Sequence, residues 1–258
     1  MDNKQLMLQV KQWMEEAGQY IKDELKQVVT VEEKTNRSDL VTNVDKGTES
    51  FLVKKINEAY PNDLIIGEEG TGREVSSTKG RIWIIDPIDG TLNFVKQQEN
   101  FCVMIGIFED GNPLLGFIYD VMKNEFVYGG PSTGVYLNGT PLHAPEDSSL
   151  ADGLLGCNVG MYSENYEHSR EIASAAIGVR MLGCAGLDFL NVIRGKQNAY
   201  ISNLAPWDFA AGTVLSQALG LVCRQFPDLD YNILGKRQYF IVATPQTFRD
   251  IQKFFKNK

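Results

Sequence analysis

Asp86 and Asp89 close an apolar run, Trp83-Ile84-Ile85-Asp86-Pro87-Ile88-Asp89-Gly90-Thr91-Leu92-Asn93-Phe94. The β-branched and aromatic residues from Ile82 to Ile85 suit a buried strand, and Pro87 and Gly90 read as the turn that ends it. Two carboxylates at the carboxyl end of a strand can hold a hard cation such as Mg²⁺, because hard cations take oxygen ligands. The N–H groups of Gly90 and Thr91, where a helix begins, can hold an anion. Gly90 is read as the residue whose missing side chain leaves that anion room.

Asp, Pro and Gly also build ordinary turns, so this stretch alone does not set a function. Two other segments also present acids at element boundaries. Gly67-Glu68-Glu69-Gly70 follows the apolar Leu64-Ile65-Ile66, and Pro206-Trp207-Asp208-Phe209-Ala210-Ala211-Gly212 stands far downstream. An unpaired acid buried at a strand end is costly, whereas a cation ligand is compensated, which favours Glu68 over Glu69 as a ligand. Asp45, at the end of Asp39-Leu40-Val41-Thr42-Asn43-Val44-Asp45, could simply cap a helix, as could Thr42 and Asp208.

In order and approximate spacing, the three segments resemble the signatures of the inositol monophosphatase family of Mg²⁺-dependent, lithium-sensitive phosphatases, over about residues 5 to 255. The resemblance implies a layered αβαβα sandwich with the site between its halves, and two or three Mg²⁺ ions. Glu68, Asp86 and the carbonyl of Ile88 would hold the first ion, Asp86, Asp89 and Asp208 the second, and Glu68 also a third, weaker one. Thr91 and Asp45 would orient the attacking water, Lys34 would approach the outer metal, and Gly90 and Thr91 would receive the phosphate. Gly183-Cys184-Ala185 matches a segment that contacts the substrate polyol, although Cys184 lacks the usual hydroxyl. The substrate would be a small phosphorylated metabolite. Inositol monophosphate comes first, with NADP(H) 2′-phosphate, fructose 1,6-bisphosphate and 3′-phosphoadenosine 5′-phosphate as alternatives. Inositol-specific relatives carry an acid seven positions before the Trp-Asp aspartate, where this chain has Ile201. That implies broad selectivity, with Ser202 or Asn203 as partial replacements, unless Ile201 only completes the strand Ala199-Tyr200-Ile201. A homodimer is also implied.

The rest of the chain must position these groups. With 258 residues, 43% of them apolar, it can bury a large core. Leu6, Val10, Trp13, Ala17, Ile21, Leu25 and Val28 recur at helical spacing as one long amphipathic stripe. Lys34 to Ser38 reads as a polar loop, and a second helix runs near 46–59. Residues 71–80 read as a polar surface connection. Short polar turns between Phe101–Phe108, Leu114–Tyr119, Glu125–Tyr128 and Gly134–Gly139 predict an antiparallel meander. From about 150, strands alternate with helices near 164–176, 186–194, 207–219 and 246–256, the strands being Leu154–Asn158, Val179–Leu182, Ala199–Ile201, Leu221–Cys223 and Phe240–Ala243. The fold class is therefore α+β in residues 1–145 and α/β in residues 146–258, the two halves packed as one unit.

A net charge of −8 with no basic cluster argues against nucleic acid. The amino terminus lacks a signal-like apolar core and no run of about 18 apolar residues occurs, so a cytoplasmic protein without a membrane segment is expected. The four cysteines are widely spaced and read as buried free thiols. A cysteine phosphatase needs Cys-x₅-Arg, but Phe108, Ser163, Leu190 and Leu229 occupy the arginine position. His143 and His168 read as surface residues and support no two-histidine mechanism. A haloacid-dehalogenase-type phosphatase places its aspartates two residues apart, whereas Asp86 and Asp89 are three apart. The other competing reading is a scaffold that binds a phosphometabolite or a protein without turnover.

Overall fold

The computed structural model describes residues 2–34, 37, 40–70, 75–226 and 229–255. In chain order the elements are α1 (Asn3–Glu24), β1 (Val31–Glu33), β2 (Leu40–Thr42), α2 (Asn43–Ala59), β3 (Leu64–Gly67), β4 (Arg81–Asp89), α3 (Thr91–Gln97), β5 (Cys102–Glu109), β6 (Asn112–Asp120), β7 (Glu125–Gly130), β8 (Gly134–Leu137) and β9 (Thr140–Leu142). They continue as β10 (Leu154–Cys157), α4 (Val159–Glu164), α5 (Ser169–Ala175), β11 (Gly178–Arg180), α6 (Ala185–Ile193), β12 (Ala199–Leu204), α7 (Pro206–Ala218), β13 (Val222–Gln225), β14 (Gln238–Ala243) and α8 (Pro245–Gln252).

Strands β3 to β9 form a seven-stranded sheet in sequence order, parallel only between β3 and β4. The second sheet runs β11-β10-β12-β14-β13 and is mixed, with β10 parallel to both its neighbours and β14 antiparallel to both of its own. Three apolar clusters define the layers. Helices α1 and α2 cover one face of the first sheet through Val10, Met14, Leu52 and Ile56 against Trp83, Ile85 and Val103. Helices α6 and α7 lie between the sheets, where Phe189, Phe209 and Val214 meet Ile82, Ile84 and Met104 on one side and Tyr200, Phe240 and Val242 on the other. Helices α4, α5 and α8 close the outer face of the second sheet through Met161, Ile172 and Phe248. The order is helix, sheet, helix, sheet, helix, which is the sandwich expected.

Local differences from the expected elements have identifiable causes. The amino-terminal stripe holds from Leu6 to Ile21, but α1 stops at Glu24 and Val28 is 89% exposed. The helix expected over 164–176 is instead α4, a 3₁₀ turn and α5, because Asn165, Glu167 and His168 adopt positive φ and break the helical path. Strand β11 is shorter than Val179–Leu182, and β12 and β14 are longer than the apolar runs that announced them. The 34–38 loop (at 35, 36 and 38), Asp39 and the 71–80 connection (at 71–74) fall wholly or partly outside the described residues, as does the end of the last helix at 256. Among the described residues, no helix is long and apolar enough to cross a membrane.

The largest departure lies in β4, which does not end in a turn at Asp86 but continues to Asp89. Its pairing with β5 shifts register between Asp86, opposite Met104, and Asp89, opposite Cys102. Two residues, Pro87 and Ile88, therefore face the single Val103, a bulge that accommodates Pro87, which has no N–H for the ladder. Side chains alternate faces along a strand, so a spacing of three would put Asp86 and Asp89 on opposite faces. The bulge restores them to one face: Ile82 and Ile84 point towards α6 and α7, while Ile85 and Ile88 point to α1 and α2.

Two glycines let α7 approach that face. A Cβ on Gly106 would lie 2.8 Å from backbone atoms of Ala210 and Ala211, and one on Gly116 would lie 2.5 Å from the Ala211 carbonyl oxygen. Ala210 and Ala211 of α7 thus meet glycines on the sheet. Gly116→Ala is expected to destabilise the protein by about 1–3 kcal/mol, since helix backbone cannot yield as a side chain can. A urea denaturation midpoint unchanged from wild type would refute this packing account.

Candidate active site

The carboxyl end of β4, the start of α3, the loop before α6 and the start of α7 surround a cavity of about 300 Å³. Glu68, Asp86, Ile88, Asp89, Gly90, Thr91, Gly183, Cys184, Ala185 and Asp208 all line it. Asp45 does not line it but reaches it through Thr91. His143 is exposed and His168 half-buried, neither of them on the cavity wall.

Asp86, Asp89 and Asp208 are buried and each offers a carboxylate oxygen within 4.8 Å of the others. Asp86 Oδ1 has no hydrogen-bond partner. A buried, unpartnered carboxylate oxygen beside two more acids is costly unless a cation compensates it, so this donor set fits Mg²⁺. Burial, followed by repulsion from Glu68, Asp89 and Asp208, pushes the Asp86 carboxyl well above the usual range. Burial likewise raises Asp89, against hydrogen bonds from Gly186, Cys184, Ala185 and Cys102 that lower it. Asp208 is raised to about 6 by burial, with Arg237 opposing and Asp89 reinforcing the shift. Glu68 rises to about 7, again mainly through burial, although Lys34 opposes it.

Lys34 Nζ lies 3.0 Å from Glu68 Oε1 and 2.6 Å from Glu69 Oε1. Burial would lower its pKa, but the attraction of Glu68 and Glu69 outweighs that and raises it. Lys34 thus pairs with both acids and stays a cation between them. Glu69 pairs with Lys34 as Glu68 does.

Both helix-starting acids cap their helices and also keep an oxygen for the site. Asp45 Oδ2 accepts from the Thr42 N–H at 2.9 Å and from the Thr42 hydroxyl, while Oδ1 lies 3.0 Å from Thr91 Oγ1. Asp208 Oδ2 accepts from the Ala205 N–H at 2.7 Å at the start of α7. Capping therefore engages one oxygen of each carboxylate and leaves the other directed to the site. Thr91 Oγ1 also lies 3.0 Å from the Ile88 carbonyl oxygen. A hydroxyl has one proton to donate, so when Asp45 receives it the Ile88 oxygen is left free to face a cation.

Gly90 has φ +88°, and a Cβ there would lie 3.1 Å from Cys184 Cβ and 3.2 Å from the Asn100 carbonyl oxygen. Glycine is thus required at this position by the backbone and by close packing. Cys184 follows in the same wall of the cavity. Its thiol is buried against Asp89 Oδ2 at 3.1 Å, at the cavity wall. Burial pushes Cys102 up to about 12 and holds Cys184 well above the usual thiol range, so both stay thiols. Asn93, the asparagine of the central stretch, ties the 182–184 loop to α3 by donating to the carbonyls of Leu182 and Asn100 at 2.8 and 2.9 Å.

Ile201 is fully buried in the outer apolar cluster and points away from the cavity. Its apolar character therefore says nothing about selectivity. The strand-completing alternative holds, and Tyr200, Ser202 and Asn203 line the cavity instead. Arg237 was not legible in the sequence. It stands in a loop without motif or periodicity, yet its Nη1 reaches Asp208 Oδ2 and the Asn203 carbonyl oxygen, both at 3.1 Å.

The profile of the inositol monophosphatase family matches residues 2–247. The inositol-1-monophosphatase of Bacillus subtilis is 42% identical over 215 residues, 81% of each chain. Inositol monophosphatase II of Staphylococcus aureus superposes with a TM-score of 0.87 at 35% identity, over 96% of this chain and 92% of that one. An IMPase/NADP phosphatase solved with Mg²⁺ and phosphate gives a TM-score of 0.90 at 26% identity, over 99% of this chain and 97% of that one. With a match over nearly the whole chain, and with the acids of all three segments converging on one cavity, the chain belongs to the inositol monophosphatase family of Mg²⁺-dependent phosphoric monoester hydrolases.

Proposed function

We propose that the protein hydrolyses inositol monophosphate with a water molecule, using two or three Mg²⁺ ions. The observation that carries the reading is the buried group of Asp86, Asp89 and Asp208, with one Asp86 oxygen unpartnered. Glu68, Asp86 and the Ile88 carbonyl would hold one ion; Asp86, Asp89 and Asp208 a second; Glu68 a weaker third. Mg²⁺ bound there supplies the positive charge that favours ionisation of water and offsets charge building on the phosphoryl and leaving oxygens.

The protein's own groups orient and hold the reactants. With its proton directed to Asp45 Oδ1, Thr91 Oγ1 presents lone pairs that accept a hydrogen bond from the attacking water. Gly90 and Thr91 present N–H groups to the phosphate at the start of α3, and the 183–185 segment faces the polyol. Hydrolysis forms one P–O bond to water and breaks the P–O bond to the alcohol, which leaves with a proton. We also propose that residues 1–145 and 146–258 act as halves of a single unit, a reading supported by α6 and α7 packing between the two sheets. A homodimer, carried over from the family resemblance, is tested by sedimentation velocity.

Phosphate release from inositol 1-phosphate is expected to require Mg²⁺, to fall at high Mg²⁺ as product phosphate is held more firmly, and to be inhibited by Li⁺. NADP⁺ and fructose 1,6-bisphosphate, assayed alongside by kcat/KM, rank the substrate alternatives. In ¹⁸O-labelled water the label should enter phosphate directly. A trapped aspartyl-phosphate would overturn this reading in favour of a covalent mechanism, and absence of turnover on any of these esters would favour the scaffold.

A further inference from the structure

Cys102 and Cys184 stand 82 positions apart in the chain, yet β5 and the loop before α6 bring their sulfur atoms to 3.7 Å. Asp89 Oδ2 lies 3.6 Å from Cys102 Sγ and 3.1 Å from Cys184 Sγ. Zinc bonds thiolate sulfur at about 2.3 Å and carboxylate oxygen at about 2.0–2.2 Å, so a tetrahedral centre sets its sulfurs about 3.8 Å apart and each sulfur about 3.5 Å from the oxygen. The three separations follow one face of such a tetrahedron, the Cys184–Asp89 edge being the shorter.

The backbone of Gly186 packs directly against this group, its N–H donating to Asp89 Oδ2. A Cβ on Gly186 would lie 2.4 Å from Cys102 Sγ, 2.7 Å from Met104 Sδ and 3.2 Å from Asp89 Oδ2. Glycine at 186 thus avoids a clash with the sulfurs, and the Met104 thioether packs beside the same position. Asp89 and Cys184 line the main cavity, which supplies a route for an ion.

We propose that Cys102, Cys184 and Asp89 form a second metal site, which takes a thiophilic divalent cation such as Zn²⁺ or Cd²⁺ and rejects Mg²⁺. Thiolate sulfur selects soft and borderline cations, whereas Mg²⁺ demands oxygen. Loading breaks two S–H bonds, forms two sulfur–metal bonds and releases two protons to solvent, with no change of oxidation state. The site shares the Asp89 carboxylate with the Asp86–Asp89–Asp208 group. An occupant therefore draws negative charge away from the Mg²⁺ ligands and inhibits the phosphatase. The binding step stands apart from the proposed reaction; only the inhibition rests on it.

The test titrates Cd²⁺ into full-length protein, stripped with chelator and returned to saturating Mg²⁺ and a non-thiol reductant, while following the thiolate-to-cadmium charge-transfer band. One equivalent is expected to develop the band, with Zn²⁺ competing. Cys102→Ser and Cys102→Val, two variants of different polarity whose folding is checked by circular dichroism, should each weaken Cd²⁺ binding at least about tenfold. Cys157→Ser and Cys223→Ser should leave it intact. No band in the wild type, a band kept in both Cys102 variants, or loss of the band in the Cys157 or Cys223 variant would overturn the site. In phosphate release, Cys102→Ser should need about tenfold more Zn²⁺ for half-inhibition than the wild type. Equal inhibition of the two would overturn the coupling through Asp89.

Discussion

Asp86→Asn and Asp89→Asn are each expected to lower kcat more than about 100-fold, equivalent to at least about 2.7 kcal/mol of barrier. Each change removes one anionic oxygen donor from a site whose cation takes hard oxygen ligands, and so misplaces the water and the phosphoryl group. Asparagine keeps the shape of the side chain, so the fold should persist. In the metal-free protein the Asp86 carboxyl, raised by burial and by its acidic neighbours, keeps its proton to higher pH than it does in the unfolded chain. Above the unfolded carboxyl value of about 3.9, unfolding therefore releases protons, and stability falls as pH rises towards the folded values. Glu68, at about 7, and Asp208, at about 6, add to the same slope. With chelator present, the wild-type Tm should drop between about pH 5 and about pH 8, and Asp86→Asn should flatten that drop. Activity above about a tenth of wild type in either variant, a barrier change below roughly 1.4 kcal/mol, would show that the ligand assignment is mistaken.

Ile201→Glu is expected to cost at least about 3 kcal/mol of stability, since an uncompensated buried charge typically costs about 3–5 kcal/mol. Ile201 is fully buried in the apolar cluster that holds Leu155, Ala199, Phe226 and Ile241. A loss of that size is a large share of the roughly 5–15 kcal/mol that holds a typical domain together. The denaturation midpoint and soluble yield should both fall. Ser202→Glu, one residue further along β12 and on the cavity wall, should instead keep the fold and change relative kcat/KM among phosphate esters. A stable Ile201→Glu protein with tighter inositol 1-phosphate recognition would reverse this account.

Much of the site was legible because its signals are local. Apolar runs ending in acids, the Gly-Thr step into α3 and the Trp-Asp start of α7 each specify a short stretch of backbone. They located Glu68, Asp86, Asp89, Thr91 and Asp208 before any fold was known. The stripe of α1 and the polar turns of the β5–β9 meander were readable for the same reason, since helix period and tight turns are properties of neighbouring residues.

What the sequence left open depends on pairing between distant segments. Whether Asp86 and Asp89 share a face is set by a bulge against β5, visible only once register is known. Which side of β12 carries Ile201 follows from the packing of the second sheet between two helical layers, not from a count back from Asp208. Arg237 reaches Asp208 from a loop without periodicity, and Cys102 meets Cys184 across 82 positions. By itself the sequence determined which chemical groups the chain has and the short elements that carry them. The tertiary structure decided which of those groups meet, because strand register and layer packing are settled by burial summed over the whole core and not by any one stretch.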